Sequence, residues 1–365
     1  MAKSINELLH IMVKSKASDL HLKLGSPPII RVNRELLPCD DVALLPEHIR
    51  EYLKELMRDI QMRKFEQDCE LDFAYTVSGL GRFRTNVFYQ RGSTGIVMRF
   101  VKTEIPDFDA LCLPDYLSRF SQQERGIILV SGATNSGKST TLAAMVGYIN
   151  KYYKKHIVTV EDPIEFLHQD RSSVINQREV GIDTHSFADA LKHILRQDPD
   201  VILIGEMRDA ESFTAALQAA ETGHLVLSTL HAGSAANSID RILDFFKDAE
   251  MRDQARFQLA NNLVAVICQR LLPLKKGHGL IPAIEVMTGT PLIKKMIHEN
   301  NLKKLPQVIA SGQDLEMISF NQSILKLIQS GSISKEVGLS YASNAEALRM
   351  NLQGIFLDEG RKIIS

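Results

Sequence analysis

The run Gly132-Ala133-Thr134-Asn135-Ser136-Gly137-Lys138-Ser139-Thr140 fits the pattern G-x-x-x-x-G-K-[ST]. Residues of these types at this spacing suit one kind of chemistry, the grip of a polyphosphate. Glycines let successive backbone N–H groups close around a β-phosphate, and the start of a following helix adds partial positive charge. Lys138 then reaches the β- and γ-phosphates, and the Ser139 hydroxyl serves a Mg²⁺ ion. Further along, three short polar groups follow apolar runs: Glu161-Asp162-Pro163-Ile164-Glu165, Gly205-Glu206-Met207-Arg208-Asp209 and Leu230-His231. Hydrolysis of a Mg²⁺-bound nucleotide needs a carboxylate near the metal and another group to orient water. Glu206 stands where the metal-side acid is expected, and Asp162 and Glu165 are the candidates for orienting water.

These groups must be positioned by strands and helices, and the sequence supplies them. Ile127-Ile128-Leu129-Val130 reads as a buried strand before the glycine-rich run, and Thr141 to Val146 reads as a helix after it. Strands are expected at 157–160, 201–204 and 225–229. Helices are expected from Ser186, with Asp189 completing a capping-box-like start, and over 209–222, ending at Gly223. Alternating strands and helices from about residue 116 imply a largely parallel sheet. Each polar group then lies at the C-terminal end of its strand, where open α/β sheets bind ligands.

Residues 1–100 read as a separate α+β module. Ile5 to Val13 forms a short helix with Leu8, Leu9 and Met12 on one face, and residues 47–66 form a second helix. Strands are expected at 19–24, 29–32, 71–75, 82–88 and 95–100. Residues 101–115, with Pro106 and Pro114, are the expected linker, and the pattern is mostly helical beyond 290.

Composition narrows the function classes. A length of 365 residues implies two domains, and a formal net charge of −1 argues against a protein whose main work is neutralising nucleic acid. The four cysteines, Cys39, Cys69, Cys112 and Cys268, form no C-x-x-C pair, so a zinc site and a disulfide framework are not expected. No signal-type N-terminus and no apolar run of about 18 residues is seen, so a cytoplasmic chain is expected, held at a membrane only through a partner.

Taken together, several stretches make the chain similar to the secretion-type hexameric ATPases, and within them to the type IV pilus retraction ATPases. They are Ser18-Asp19-Leu20-His21-Leu22, the phosphate loop, Thr159 to Glu165, Gln177-Arg178-Glu179-Val180-Gly181, Leu195 to Asp200, the segment ending Gly205-Glu206, and Thr229-Leu230-His231. The resemblance covers nearly the whole chain. It implies an α/β fold: a RecA-like P-loop NTPase core over 116–290, a smaller PAS-like N-terminal α+β domain over 1–100, and a helical C-terminal region over 291–365. It also implies ATP and Mg²⁺ as ligands, nucleotide bound between the two domains, a homo-hexameric ring, and an inner-membrane pilus platform protein as partner. A second retraction ATPase is a further partner, and no nucleic acid is implied. By the same resemblance Glu165 is the general base, Glu206 supports Mg²⁺ with Ser139, His231 senses the γ-phosphate side, and Arg82 and Arg84 reach the nucleotide. Arg196 and Arg208 are lesser candidates.

Two departures stand out. Asn135 replaces a glycine frequent in the family's loop, a change that asparagine's tolerance of left-handed backbone permits. Leu292-Ile293-Lys294-Lys295-Met296-Ile297-His298-Glu299 lacks the arginines of the family's retraction-linked motif, which keeps a companion (PilU-type) ATPase as the alternative. A pilus-assembly or type II secretion ATPase, a non-hydrolysing ring subunit and a DNA motor are the other readings. The segment from Ala347 to Ser365 is expected to be amphipathic.

Overall fold

The computed structural model describes residues 2–355, apart from Arg34 and His278. The chain forms two compact units, Met1–Thr103 with Glu165–Leu167, and Glu104–Ile164 with His168–Ser365.

The first unit opens with α1 (Ile5–Lys14), capped by Ser4 and Glu7 in a reciprocal capping box and burying Ile5, Leu8, Leu9 and Met12. Three strands follow, β1 (Asp19–Lys23), β2 (Ile29–Val32) and β3 (Glu35–Pro38). Two helices, α2 (Pro46–Leu56) and α3 (Asp59–Asp68), precede β4 (Glu70–Val77), β5 (Gly81–Gln90) and β6 (Ser93–Phe100). The sheet runs β3-β2-β1-β6-β5-β4 and is antiparallel throughout.

One helix was expected over 47–66, and two are found. Met57 is extended and buries its side chain, while the N–H of Arg58 donates to Gln61 Oε1 and starts α3 afresh. No glycine or proline marks this break. Strand β3 escaped the alternation test because all four of its residues are exposed.

The motif Ser18 to Leu22 carries an ion pair that locks β1 between its neighbours. The register sets Asp19 opposite both Arg31 and Arg99. Its buried carboxylate accepts from Arg99 Nε at 2.7 Å and lies 3.7 Å from Arg31 Nε. Burial pushes the Asp19 carboxyl up, yet hydrogen bonds from Ser18 and Arg99 outweigh it and hold the group below its ordinary range.

The second unit contains α4 (Leu117–Ser121), β7 (Gly126–Ser131), α5 (Lys138–Tyr152), β8 (His156–Glu161) and β9 (Val174–Glu179). It continues with α6 (Phe187–Ile194), β10 (Val201–Ile204), α7 (Ala210–Glu221), β11 (Leu225–Leu230), α8 (Ala235–Leu243) and α9 (Ala249–Asn262). A long hairpin, β12 (Leu263–Pro273) and β13 (Leu280–Thr288), leads to α10 (Pro291–His298), α11 (Leu305–Ser311), α12 (Phe320–Gln329), α13 (Lys335–Tyr341) and α14 (Ala345–Leu352).

Strand order is β13-β12-β7-β11-β10-β8-β9, parallel except for β13. Side-chain oxygens of Ser186, Asp209, Ser234 and Asp248 accept backbone N–H groups at the starts of α6, α7, α8 and α9. One sheet face packs on α5 through Leu142, Met145, Val146 and Ile149. The other packs on α6 to α9.

Residues 104–115, expected as linker, belong to the second unit, where Phe108 and Leu113 are buried beside Leu117 and Phe120. The helices after residue 290 share the second unit's main core, with Ile293, Phe320, Ile324 and Leu348 all buried in it. Of the expected amphipathic tail, α14 is described and residues 356–365 lie outside the described residues. Among the described residues no helix is long and apolar enough to cross a membrane.

Candidate nucleotide site

The glycine-rich run leaves the end of β7, a strand buried along its whole length, and turns into α5. Its backbone takes left-handed φ values at Gly132 (151°), Asn135 (62°) and Gly137 (91°). A Cβ on Gly132 would lie 2.5 Å from the Gln269 carbonyl oxygen, so both the turn and the close approach of β12 demand glycine there. Gly137 is the N-cap of α5, and the N–H groups of the helix's first turn face the loop. Lys138 is buried, and its ammonium donates to the carbonyls of Gly132 and Ala133, each at 3.0 Å. The loop thus holds its lysine folded over its own concave side. Ser136 Oγ is buried among these groups without a hydrogen-bond partner. A buried hydroxyl left unsatisfied costs about 1–3 kcal/mol, which a phosphate oxygen would recover.

The neighbouring strand ends carry the charged groups. β10 is tied to β8 and β11 where it ends: Gly205 N–H donates to Val160 O at 2.7 Å, and Thr229 Oγ1 donates to Gly205 O at 2.6 Å. Glu206 follows directly. One of its oxygens accepts from Arg208 Nε at 2.9 Å, and the other lies 3.2 Å from His231 Nε2. Arg208 Nη1 also reaches Asp162 Oδ2 at 3.3 Å. Its hydrogen bond to Glu206, with the charge of Asp162 behind it, pushes the guanidinium above its ordinary range. Asp162, Glu206, Arg208 and His231, drawn from three strand ends, therefore form one bonded group. Glu161 is held at the end of β8 by Thr159 Oγ1 at 2.7 Å and Gln177 Nε2 at 3.1 Å.

Of the residues singled out from sequence, the structure gathers Gly132 to Thr140 into the loop and joins Glu206 to His231. Glu165 takes no part in that bonded group. It is exposed and lies in the three-residue segment that packs with the first unit. Arg82 and Arg84 lie on one face of β5, opposite the buried Phe83, Thr85 and Val87. Arg84 Nε is 3.8 Å from Asp72 Oδ1 on β4. Arg196 is exposed just beyond α6. Arg208, a lesser candidate by sequence, is the residue that ties the acidic groups together.

Sequence reasoning missed Gln269 and Glu285. Gln269 is a buried amide on β12 that accepts from Thr141 Oγ1 at 2.7 Å, and a polar residue beside Arg270 in an otherwise apolar run was its only signal. Glu285 on β13 accepts from the N–H of Ala235 at the start of α8 at 2.8 Å, and burial pushes its carboxyl up.

The donor set fits a Mg²⁺–nucleotide. Hydroxyl and carboxylate oxygens suit a hard cation that usually keeps waters and takes its remaining ligands from phosphates. Both Glu206 oxygens are already engaged, which favours contact with such a cation through water.

Residues 1–351 match the family described as Type II/IV secretion system protein. The chain is 41% identical over 347 residues to the type IV pilus ATPase PilU of Pseudomonas aeruginosa, covering 95% of this chain and 91% of that one. It is 43% identical over 332 residues to the type IV pilus retraction ATPase PilT of the same organism, covering 91% and 96%. The crystal structure of the pilus retraction motor PilT with bound ADP superimposes with a TM-score of 0.87 at 41% identity, covering 94% of this chain and 98% of that one.

Proposed function

The chain belongs to the Type II/IV secretion system protein family, and we propose that it is an ATP-hydrolysing motor that drives type IV pilus retraction and twitching motility. The observation that carries this reading is the phosphate loop with Lys138 folded over it, set in a fold that matches a pilus retraction motor with bound ADP along nearly its full length.

In this reading the loop N–H groups, Ser136 and Lys138 bind the β- and γ-phosphates of ATP. Ser139 and Glu206 would hold a Mg²⁺ ion, which when bound would supply charge neutralisation at the phosphates. Glu165 orients the water and takes its proton as the water oxygen attacks the γ-phosphorus, and ADP leaves as the bond from the γ-phosphorus to the bridging β–γ oxygen breaks. His231, bonded to Glu206, senses the γ-phosphate, and Arg82 and Arg84 add positive charge to the phosphates. The active form is a homo-hexamer that works in the cytoplasm on an inner-membrane platform protein.

The companion reading rests on a separate observation. α10 carries Lys294 and Lys295, with Lys294 Nζ turned inward to Asn261 O at 2.8 Å, and the chain is similar to PilU as well as to PilT. Steady-state ATP turnover by the purified full-length chain, measured across a range of protein concentrations, tests both. Turnover that rises with concentration and vanishes in Lys138→Ala supports the autonomous motor. Nucleotide binding without turnover, relieved by adding a retraction ATPase, supports the companion. No nucleotide binding refutes both.

A further inference from the structure

The phosphate loop does not stand on β7 and α5 alone. It leans on β12, the neighbouring parallel strand, chiefly at Gln269, with Leu271 Cδ1 beside Gly137. Gln269 comes close to the loop at both ends and bonds to the helix that follows it. Its carbonyl oxygen lies 2.5 Å from where a Cβ of Gly132 would stand. Its amide nitrogen lies 2.8 Å from where a Cβ of Gly137 would stand. Its amide oxygen accepts from Thr141 Oγ1 at 2.7 Å, one turn into α5. Two close approaches and one hydrogen bond thus bracket the loop at its first glycine, its last glycine and the first turn of its helix. Both Gln269 and Thr141 are buried, so their bond is shielded from competing water.

The rest of this face of β12 is apolar. Ala265 and Ile267 share it with Gln269 by strand alternation and pack in the core against α5. A glutamine there requires a reason, because an apolar residue would pack at least as well and leave no amide to satisfy. Thr141 is the matching anomaly on α5, where Leu142, Met145 and Val146 are apolar. The two polar residues answer each other across 128 positions of sequence.

We propose that Gln269 is a positioning residue for nucleotide binding: through Thr141 and the two glycines it holds the phosphate loop in the shape that receives phosphate. This proposal rests on the reading of the loop as a nucleotide site. A loop held in place binds without first having to be ordered, so loss of the strut weakens the grip on nucleotide. A neutral hydrogen bond of this kind corresponds to roughly a three- to tenfold change in affinity.

The test titrates the full-length protein with a fluorescent ADP analogue and records its thermal melt without nucleotide. Wild type and Lys138→Ala first establish the site. No binding by wild type would sink the nucleotide reading itself. Where wild type binds and Lys138→Ala does not, Gln269→Met and Thr141→Val are each expected to weaken binding about three- to tenfold. The double variant should be hardly weaker than either single, because both break the same bond. Thr141→Ser keeps the hydroxyl and should bind close to wild type, which a purely packing role would not produce. Gln269→Met at wild-type affinity, or a double variant that loses the product of the two single effects, would overturn the proposal. If Gln269→Met melts too low to assay, the comparison of Thr141→Val with Thr141→Ser decides alone: equal affinities overturn it.

Discussion

Replacing Arg208 separates catalysis from binding more cleanly than any other substitution in the site. Its guanidinium holds Glu206 through Nε and Nη2, both at 2.9 Å, and Asp162 through Nη1 at 3.3 Å. The side chain is 54% exposed, so these pairs are screened and each adds only about 0.2–1 kcal/mol to folding. Arg208→Gln should therefore lower the melting temperature by only a few degrees. Its effect on turnover should be larger. Glu206 keeps His231 on one oxygen but loses the fork that fixes the other. Two screened contacts to Glu206, at about 0.2–1 kcal/mol each, together amount to roughly 0.4–2 kcal/mol. If the lost order falls on the transition state, kcat drops about 2- to 30-fold. Affinity for ADP should stay within about twofold, because Lys138 and the loop are untouched. Arg208→Lys keeps charge without the planar fork and should fall between. Steady-state kinetics with a parallel nucleotide titration decides the matter. Equal losses in kcat and affinity, or unchanged kcat, would refute this reasoning. A collapse of the melting temperature would recast Arg208 as a structural residue.

Substitutions at three other positions have defined outcomes. Asn135 sits at φ 62°, which asparagine tolerates and a β-branched residue does not. Asn135→Val should weaken nucleotide binding up to about tenfold while Asn135→Gly does not, and affinity of both at wild-type level would show that loop shape is not limiting. Lys138→Ala should abolish detectable binding of ADP while the folded chain survives, as circular dichroism would report. His168 has a buried Nδ1 without a partner, and burial pulls its ring down from 6.5 to about 4. The folded ring therefore stays neutral while the unfolded chain takes up a proton below about pH 6.5. Its share of stability is present above that pH and is lost as pH falls toward 4, about 2 kcal/mol of it between pH 7 and pH 5. Urea melts at those two values should show a loss that His168→Phe lacks, and an identical loss in the variant would refute the assignment.

What was legible in the sequence was chemistry confined to short spacing. The loop from Gly132 to Thr140 declared itself because phosphate binding demands glycine, lysine and hydroxyl at fixed offsets. Glu206 and His231 stood out because each follows an apolar strand in a parallel sheet. The helix break at Met57 left no such mark, since a buried methionine in extended backbone looks like any other apolar position on a helix. The hairpin of β12 and β13 was equally silent, and with it went Gln269. Arg208 was visible as a charge, but its bridging role needed the ends of β8 and β10 side by side.

The motif Ser18 to Leu22 shows the converse. A polar residue among strand residues reads readily as a chemical group, yet Asp19 is consumed by Arg31 and Arg99 and fastens a sheet. Side chains that meet across strands are invisible to spacing, whether they perform chemistry or support it. The loop is one case of this division: the residues proposed to bind phosphate lie within nine positions, while the proposed support, Gln269, lies 128 positions from the threonine it bonds. A substitution on β12 can therefore alter nucleotide affinity without touching any residue of the recognisable motif.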